Sequence, residues 1–235
     1  MIERVIFVKS VLETALKEKR NLTENESYAL LSRYGISVPG YSIASSSEEV
    51  AEKSKSLGFP LVMKIISQDI IHKTDVGGVI LSINNEQQAR ESYFNMMDSV
   101  KKNEPNANIK GVLLYKQFPK GIEIIVGMTR DAQFGPTVMF GLGGIFTEIL
   151  KDVSFRICPV TRIDVGEMIH EIKGIKILTG YRNQKKSDIE AITDIIIAIS
   201  NIAVNYTSIK EIDLNPIIVY EKGVVVVDAK VLLDF

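Results

Sequence analysis

The chain has 235 residues, of which 46% are hydrophobic and 24% charged, with a formal net charge of −1. This is enough to bury a real core, as one larger domain or as two closely joined lobes. The near balance of charge excludes a general electrostatic attraction to nucleic acid or to an acidic membrane.

In chain order, residues 1–10 mix Glu3, Arg4 and Lys9 among apolar positions, so no signal peptide is expected. Helix starts are marked by a capping side chain with Glu or Gln three residues on. Thr23 with Glu26 predicts a helix to about Arg33, and Ser46 with Glu49 one to about Leu57. Asn85 with Gln88 predicts a helix to about Lys102, and Asp164 with Glu167 one to about Ile172. Ser187 with Glu190 opens the longest, whose Ile189, Ile192, Ile196, Ile199, Ala203 and Tyr206 recur at helical spacing along one buried face. Strand-like runs cover residues 61–66, 79–83, 111–118, 122–128, 137–140, 217–220 and 224–227. Runs 111–118 and 122–128 read as an antiparallel hairpin turned at residues 119–121, and residues 220–223 as a second such turn. Hairpins mixed with helices argue for an α+β fold (two-lobed α/β) rather than a doubly wound parallel sheet. The polar stretch 103–108, with Pro105, is the expected junction between a small lobe of about 36–110 and a larger lobe of 1–35 with 111–235, within one domain.

Four features point toward phosphate. Lys64 emerges from an apolar strand, where burying its charge is costly unless an anion meets it, although a strand-edge lysine can also snorkel to water. Gly77-Gly78 and Gly141-Leu142-Gly143-Gly144 offer close backbone approach to phosphate oxygens, although turns use glycine equally. Neither cluster is a Walker A or dinucleotide-binding fingerprint. Asp213, Asn215 and Asp228 supply oxygens, and Asn215 and Asp228 flank a hairpin that can bring them side by side, as suits Mg²⁺; ordinary turn chemistry uses the same residues. His72 sits in a loop beside the first glycine pair, where a neutral imidazole can accept a phosphoryl group or simply be solvated. His170 falls on the polar side of its helix. The single cysteine, Cys158, reads as a small buried hydrophobe in a reducing compartment, which with the absence of a long apolar run makes a cytoplasmic protein the expectation.

Taken together these residues are similar to a known pattern. Leu22-Thr23-Glu24-Asn25-Glu26-Ser27, Tyr34-Gly35-Ile36-Ser37-Val38-Pro39 and Gly58-Phe59-Pro60-Leu61-Val62-Met63-Lys64 come first. Ile71-His72-Lys73-Thr74-Asp75-Val76-Gly77-Gly78-Val79, Phe134-Gly135-Pro136, Phe140-Gly141-Leu142-Gly143-Gly144-Ile145 and Glu148 follow. Glu211-Ile212-Asp213-Leu214-Asn215-Pro216 and Val227-Asp228-Ala229-Lys230 close the series. In this order they resemble the β subunit of ADP-forming acetate–CoA ligase (ADP-forming acetyl-CoA synthetase), an ATP-grasp relative of succinyl-CoA synthetase, across nearly the whole chain.

The resemblance implies an ATP-grasp fold with a nucleotide- and Mg²⁺-binding larger lobe, and an acid–thiol ligase that turns acyl-CoA, ADP and phosphate reversibly into acid, CoA and ATP. It implies a CoA-binding α subunit as partner, in an α2β2 heterotetramer, with ATP or ADP as substrate and Mg²⁺ as cofactor. By resemblance His72 is the phosphohistidine that relays the phosphoryl group to ADP, and Asp213 orients it. Lys64 neutralises nucleotide phosphates, Tyr115-Lys116-Gln117-Phe118 is the hinge that pairs with adenine, and Glu123 holds the ribose hydroxyls. Gly143 and Gly144 admit the nucleotide, and Asn215 and Asp228 hold Mg²⁺. The family often has Gln or Glu where Tyr115 stands, so backbone pairing carries the implication there. The loop Asn183-Gln184-Lys185-Lys186 after Arg182 departs from the family's glycine and proline pair and is assigned no role. Two other readings stand beside this one: an ATP-grasp carboxylate ligase without a histidine relay, and a non-catalytic ATP-grasp regulatory module.

Overall fold

The computed structural model describes residues 2–144, 152–180 and 185–235; Ile145, Glu148 and residues 181–184 lie outside them. The chain forms two compact units, residues 1–38 with 120–235 and residues 39–119. Helices α1 (Ile2–Lys17) and α2 (Glu24–Arg33) open the first unit. The second unit holds β1 (Tyr41–Ala44), α3 (Ser47–Leu57), β2 (Leu61–Ser67), β3 (Val79–Ile83), α4 (Glu86–Asn103) and β4 (Ile109–Lys116). The first unit resumes with β5 (Ile122–Asp131), β6 (Gly135–Leu142), β7 (Val153–Ile157), α5 (Arg162–Glu171), α6 (Ile175–Thr179), α7 (Ile189–Asn205), β8 (Ile209–Val219), β9 (Val224–Val226) and β10 (Ala229–Leu233).

The second unit is an antiparallel sheet in the order β1-β4-β2-β3. Leu61, Met63 and Ile65 of β2 join Val112 and Leu114 of β4 in a core that includes Val50 of α3 and Ala89, Met96 and Val100 of α4. The alternation of a strand sends Val62, Lys64 and Ile66 to the opposite face. The first unit is an antiparallel sheet in the order β10-β8-β5-β6-β7, with β9 also paired to β8. Helix α7 packs on it through Ile192, Ile196, Ile199 and Ala203, all fully buried, so the helical spacing gives the buried face correctly.

Several expectations need correction. The stretch 103–108 links α4 to β4 inside the second unit, and the chain crosses between units at 38/39 and 119/120 instead. The hairpin expected at residues 119–121 does not form: β4 pairs with β1 and β2, whereas β5 pairs with β6 and β8. Each strand satisfies its backbone in a different sheet, which short-range pattern cannot reveal. The hairpin at residues 220–223 does form, joining β8 and β9, with Tyr220 N–H donating to Gly223 O. Two caps shift. Thr161 caps α5 in a capping box with Asp164, and Asp188 caps α7 by accepting from Ala191 N–H.

Candidate functional site

In the second unit Lys64 is 4% exposed and its Nζ lies 5.8 Å from the centroid of the Tyr115 ring. Lys64 pairs with Val79 and Leu113, and Tyr115 with Val62, so the ammonium and the ring share one sheet face. The snorkelling alternative therefore does not hold: the stem and the charge are both inside. Residues 115–118 close this unit. Gln117 N–H donates to Pro60 O at 2.8 Å, Gln117 Oε1 accepts from Ser82 N–H at 2.7 Å, and the Phe118 and Tyr115 rings sit 6.3 Å apart.

His72 is exposed in the β2–β3 loop. The loop closes on itself through Gly78 N–H donating to Lys73 O at 2.7 Å, and Gly78 O accepts from Ile65 N–H at 2.8 Å. Gly77 N–H likewise serves Thr74 O. The expectation that this glycine pair cradles phosphate is therefore revised, because both amides are spent within the protein. The glycines are needed for space: a Cβ on Gly78 would lie 2.6 Å from Ile65 Cγ2 and 2.9 Å from Lys73 O. They fix the base of the loop that displays His72.

In the first unit a cavity of about 290 Å³ is lined by Glu123, Gly143, Gly144, Gly121, Ile122 and Ile177, with Leu142. Gly143 N–H donates to Glu123 O at 2.7 Å, and a Cβ there would lie 2.9 Å from Glu123 Cβ. Gly143 thus acts by seating Glu123. Gly144 has φ +63°, in the left-handed region that glycine occupies without strain. Ile177 of α6 went unnoticed in the sequence. Its helix is placed by the buried Asp152, whose carboxylate accepts from Lys173 and Gly174 N–H at 2.8 Å each. No local pattern links residues 21 and 22 positions apart.

Asp213, Asn215 and Asp228 come together at the β8–β10 pair. Leu214 pairs with Ala229 and Asp213 with Lys230, and Asn215 N–H donates to Asp228 O at 3.3 Å. Ile212, Leu214, Ala229 and Val231 are buried, so Asp213, Asn215, Asp228 and Lys230 take the other face. The Asp213 carboxyl is pushed above the usual carboxylate range, by burial first and by the nearby charges of Asp228 and Glu211, against the opposing Lys230, whose Nζ is 3.9 Å away. The carboxylates of Asp213 and Asp228, with the amide oxygen of Asn215, form a hard oxygen donor set that fits Mg²⁺, which takes few protein ligands. Among the described residues no group of three or more His, Cys, Asp and Glu gathers that could hold a metal, so any such ion would draw on Asn215 and Asp228 and on ligands from outside the protein.

His170 is exposed, its Nδ1 against Gly166 O, and Cys158 is buried with its thiol pushed up by that burial. Among the described residues no helix is long and apolar enough to cross a membrane.

An ATP-grasp domain family matches residues 14–233. The chain is 48% identical to the β subunit of acetate–CoA ligase [ADP-forming] I of Pyrococcus furiosus, over 99% of this chain and 100% of that one. It is 41% identical to acetate–CoA ligase [ADP-forming] I of Archaeoglobus fulgidus, over 96% of this chain but 33% of that longer protein. A structure of acetyl-coenzyme A synthetase 1 of Ca. Korarchaeum cryptofilum, with coenzyme A, Mg-AMPPCP and its phosphohistidine segment pointing towards the nucleotide-binding site, superposes with TM-score 0.84 at 40% identity, covering 97% of this chain and 100% of that one. With a full-length family match and near-half identity over the whole of a β subunit, the chain belongs to the ATP-grasp family, in the group formed by the β subunits of ADP-forming acetate–CoA ligases.

Proposed function

We propose that this chain is the nucleotide-binding subunit of an ADP-forming acyl-CoA synthetase and passes a phosphoryl group through His72 to ADP. The observation that carries the reading is His72 itself, exposed at the head of a loop whose base is tied by the Gly78 hydrogen bonds. Direct transfer from a distant acyl phosphate is impossible, because reacting atoms must approach to about 3–3.5 Å. A covalent carrier on an exposed loop covers that gap. In the step on this chain the N–P bond of phosphorylated His72 breaks and a bond forms from a β-phosphate oxygen of ADP. ATP leaves and the imidazole returns to its neutral form. Asp213 orients the ring. Lys64 offsets phosphate charge, Glu123 accepts from the ribose hydroxyls, and the backbone of Tyr115, Lys116, Gln117 and Phe118 pairs with adenine. Gly143 and Gly144 shape the wall beside Glu123. Asn215 and Asp228 would hold Mg²⁺, which when bound neutralises the phosphate oxygens.

The CoA site belongs to an α partner in this reading, in a cytoplasmic α2β2 assembly. Supporting it are the β-subunit relative of equal length and the single-chain relative about three times longer, and the lone buried thiol of Cys158. The test is reconstitution with a co-purified CoA-binding partner and assay of ATP formation from acyl-CoA, ADP and phosphate. The complex turns over, the isolated chain does not, and the complex carrying His72→Asn does not. Unimpaired turnover with His72→Asn would favour a ligase without a relay.

A further inference from the structure

The helix start Thr23–Ser27 is one of the stretches in which the chain resembles its family, yet none of the roles above uses it. Its helix α2 reaches the opposite end of the sequence. The hydroxyl of Tyr28, a fully buried residue, lies 2.7 Å from the carbonyl oxygen of Val227 and 2.7 Å from Oε1 of Glu24, itself 5% exposed. Glu24 and Tyr28 are one helical turn apart, so the carboxylate and the phenol stand on one face of α2. The backbone before α2 is docked on β10, which follows Val227 and Asp228: Leu22 N–H donates to Val231 O at 3.2 Å, and Leu233 N–H to Asn21 Oδ1 at 2.9 Å.

Val227 immediately precedes Asp228. The segment is held by Val226 N–H donating to Ser37 O, Val227 N–H to Pro216 O, and Asn215 N–H to Asp228 O. Those contacts are all between backbone groups. The Val227 carbonyl also meets a side chain, the phenol of Tyr28, and it belongs to the peptide plane that ends at Asp228 N. Fixing that plane fixes the direction in which the Asp228 side chain leaves the backbone between β9 and β10. Groups that orient a metal ligand typically change metal affinity 10–100-fold when removed.

We infer that Tyr28, held in place by Glu24, is a positioning residue for Asp228 and thereby sets the affinity of this chain for the divalent cation that accompanies the nucleotide. The inference rests on Asp228 being a metal ligand. The test is binding by the purified full chain, with Mn²⁺ titrated in the presence of ADP and followed by the loss of its free-ion paramagnetic signal, and ADP titrated in EDTA by calorimetry. Tyr28→Phe, which keeps the shape of the buried ring, weakens Mn²⁺ about tenfold and leaves metal-free ADP binding within twofold. Glu24→Gln, whose side-chain amide can donate to the phenol oxygen while the phenol proton goes to Val227 O, stays within about threefold of the wild type, whereas Glu24→Ala follows Tyr28→Phe. Asp228→Ala separates the two layers of the argument. If it weakens Mn²⁺ and Tyr28→Phe does not, the positioning role is wrong. If Asp228→Ala leaves Mn²⁺ binding intact, the metal-ligand reading falls and the inference with it. Equal loss of Mn²⁺ and metal-free ADP binding in Tyr28→Phe would assign the residue to packing and overturn the inference as well.

Discussion

Gly143→Ala tests how the cavity beside Glu123 is built. The new Cβ would lie 2.9 Å from Glu123 Cβ and 3.0 Å from Glu123 C, atoms that cannot swing aside as a flexible side-chain tip can. Carbon atoms prefer separations of about 3.5–4.0 Å, so the two segments must part by at least ~0.6 Å. Taken along the Gly143 N–H bond to Glu123 O, now 2.7 Å, that movement stretches it to about 3.3 Å, beyond the usual range. Overpacking of this kind costs about 1–3 kcal/mol. For a chain of this size each kcal/mol lowers Tm by about 2–4 °C, giving a drop of roughly 2–12 °C. Glu123 moves with its backbone, and loss of even half of a charge-assisted hydrogen bond of about 1.5–3 kcal/mol weakens ADP by roughly three- to tenfold. Gly144→Ala is the comparator. Its Cβ would meet Glu123 Oε2 at an ordinary 3.8 Å, so only the φ of +63° opposes it, at a cost of about 1–2 kcal/mol. Calorimetric melting and ADP titration of both variants decide the matter. If Gly143→Ala matches the wild type in ADP affinity, or weakens it no more than Gly144→Ala, the seating of Glu123 by Gly143 is refuted.

Two further outcomes follow from local networks. Burial works against the Glu26 carboxylate, but the two-pronged bond from Arg20 at 2.7 and 2.9 Å and the donors of Thr23 at 2.8 Å hold it below its ordinary range. A depressed folded-state carboxyl contributes stability above the unfolded pKa, about 4.3, and loses it as pH falls through the folded value; Glu26→Gln should therefore cost about 1–2 kcal/mol at pH 7 by urea unfolding, with the gap closing in acid. Asp152→Ala strands two partly buried N–H groups, of Lys173 and Gly174, and should cost about 1–3 kcal/mol while weakening ADP through displaced α6; an unchanged urea midpoint would contradict this.

Legibility in the sequence followed the range of the interaction. The capping box of Thr23 and Glu26, the strand 79–83 and the apolar face of α7 depend on neighbours within a turn or two, and they form as read. The β8–β9 hairpin was readable for the same reason, and it carries Asn215 and Asp228 to one place. The first half of β8 was missed because Lys210, Glu211, Asp213 and Asn215 break the apolar run; the alternation of Glu211, Asp213 and Asn215 with Ile212 and Leu214 is that of a strand with one polar face. The separate sheets of β4 and β5, the Asp152 contact and the Tyr28–Val227 bond link distant parts of the chain, and no local period encodes them. Lys64 is intermediate: its oddity was visible in the sequence, its complete burial was not.

The most direct test of the account is phosphorylation of the chain itself. Purified chain incubated with Mg²⁺ and ATP labelled at the γ-phosphate should acquire label that is lost in acid and kept in alkali, the signature of an N–P bond, and peptide mapping should place it on His72. His72→Asn should acquire none while still binding ADP. Label that persists in His72→Asn, or that resists acid in the wild type, would contradict the relay.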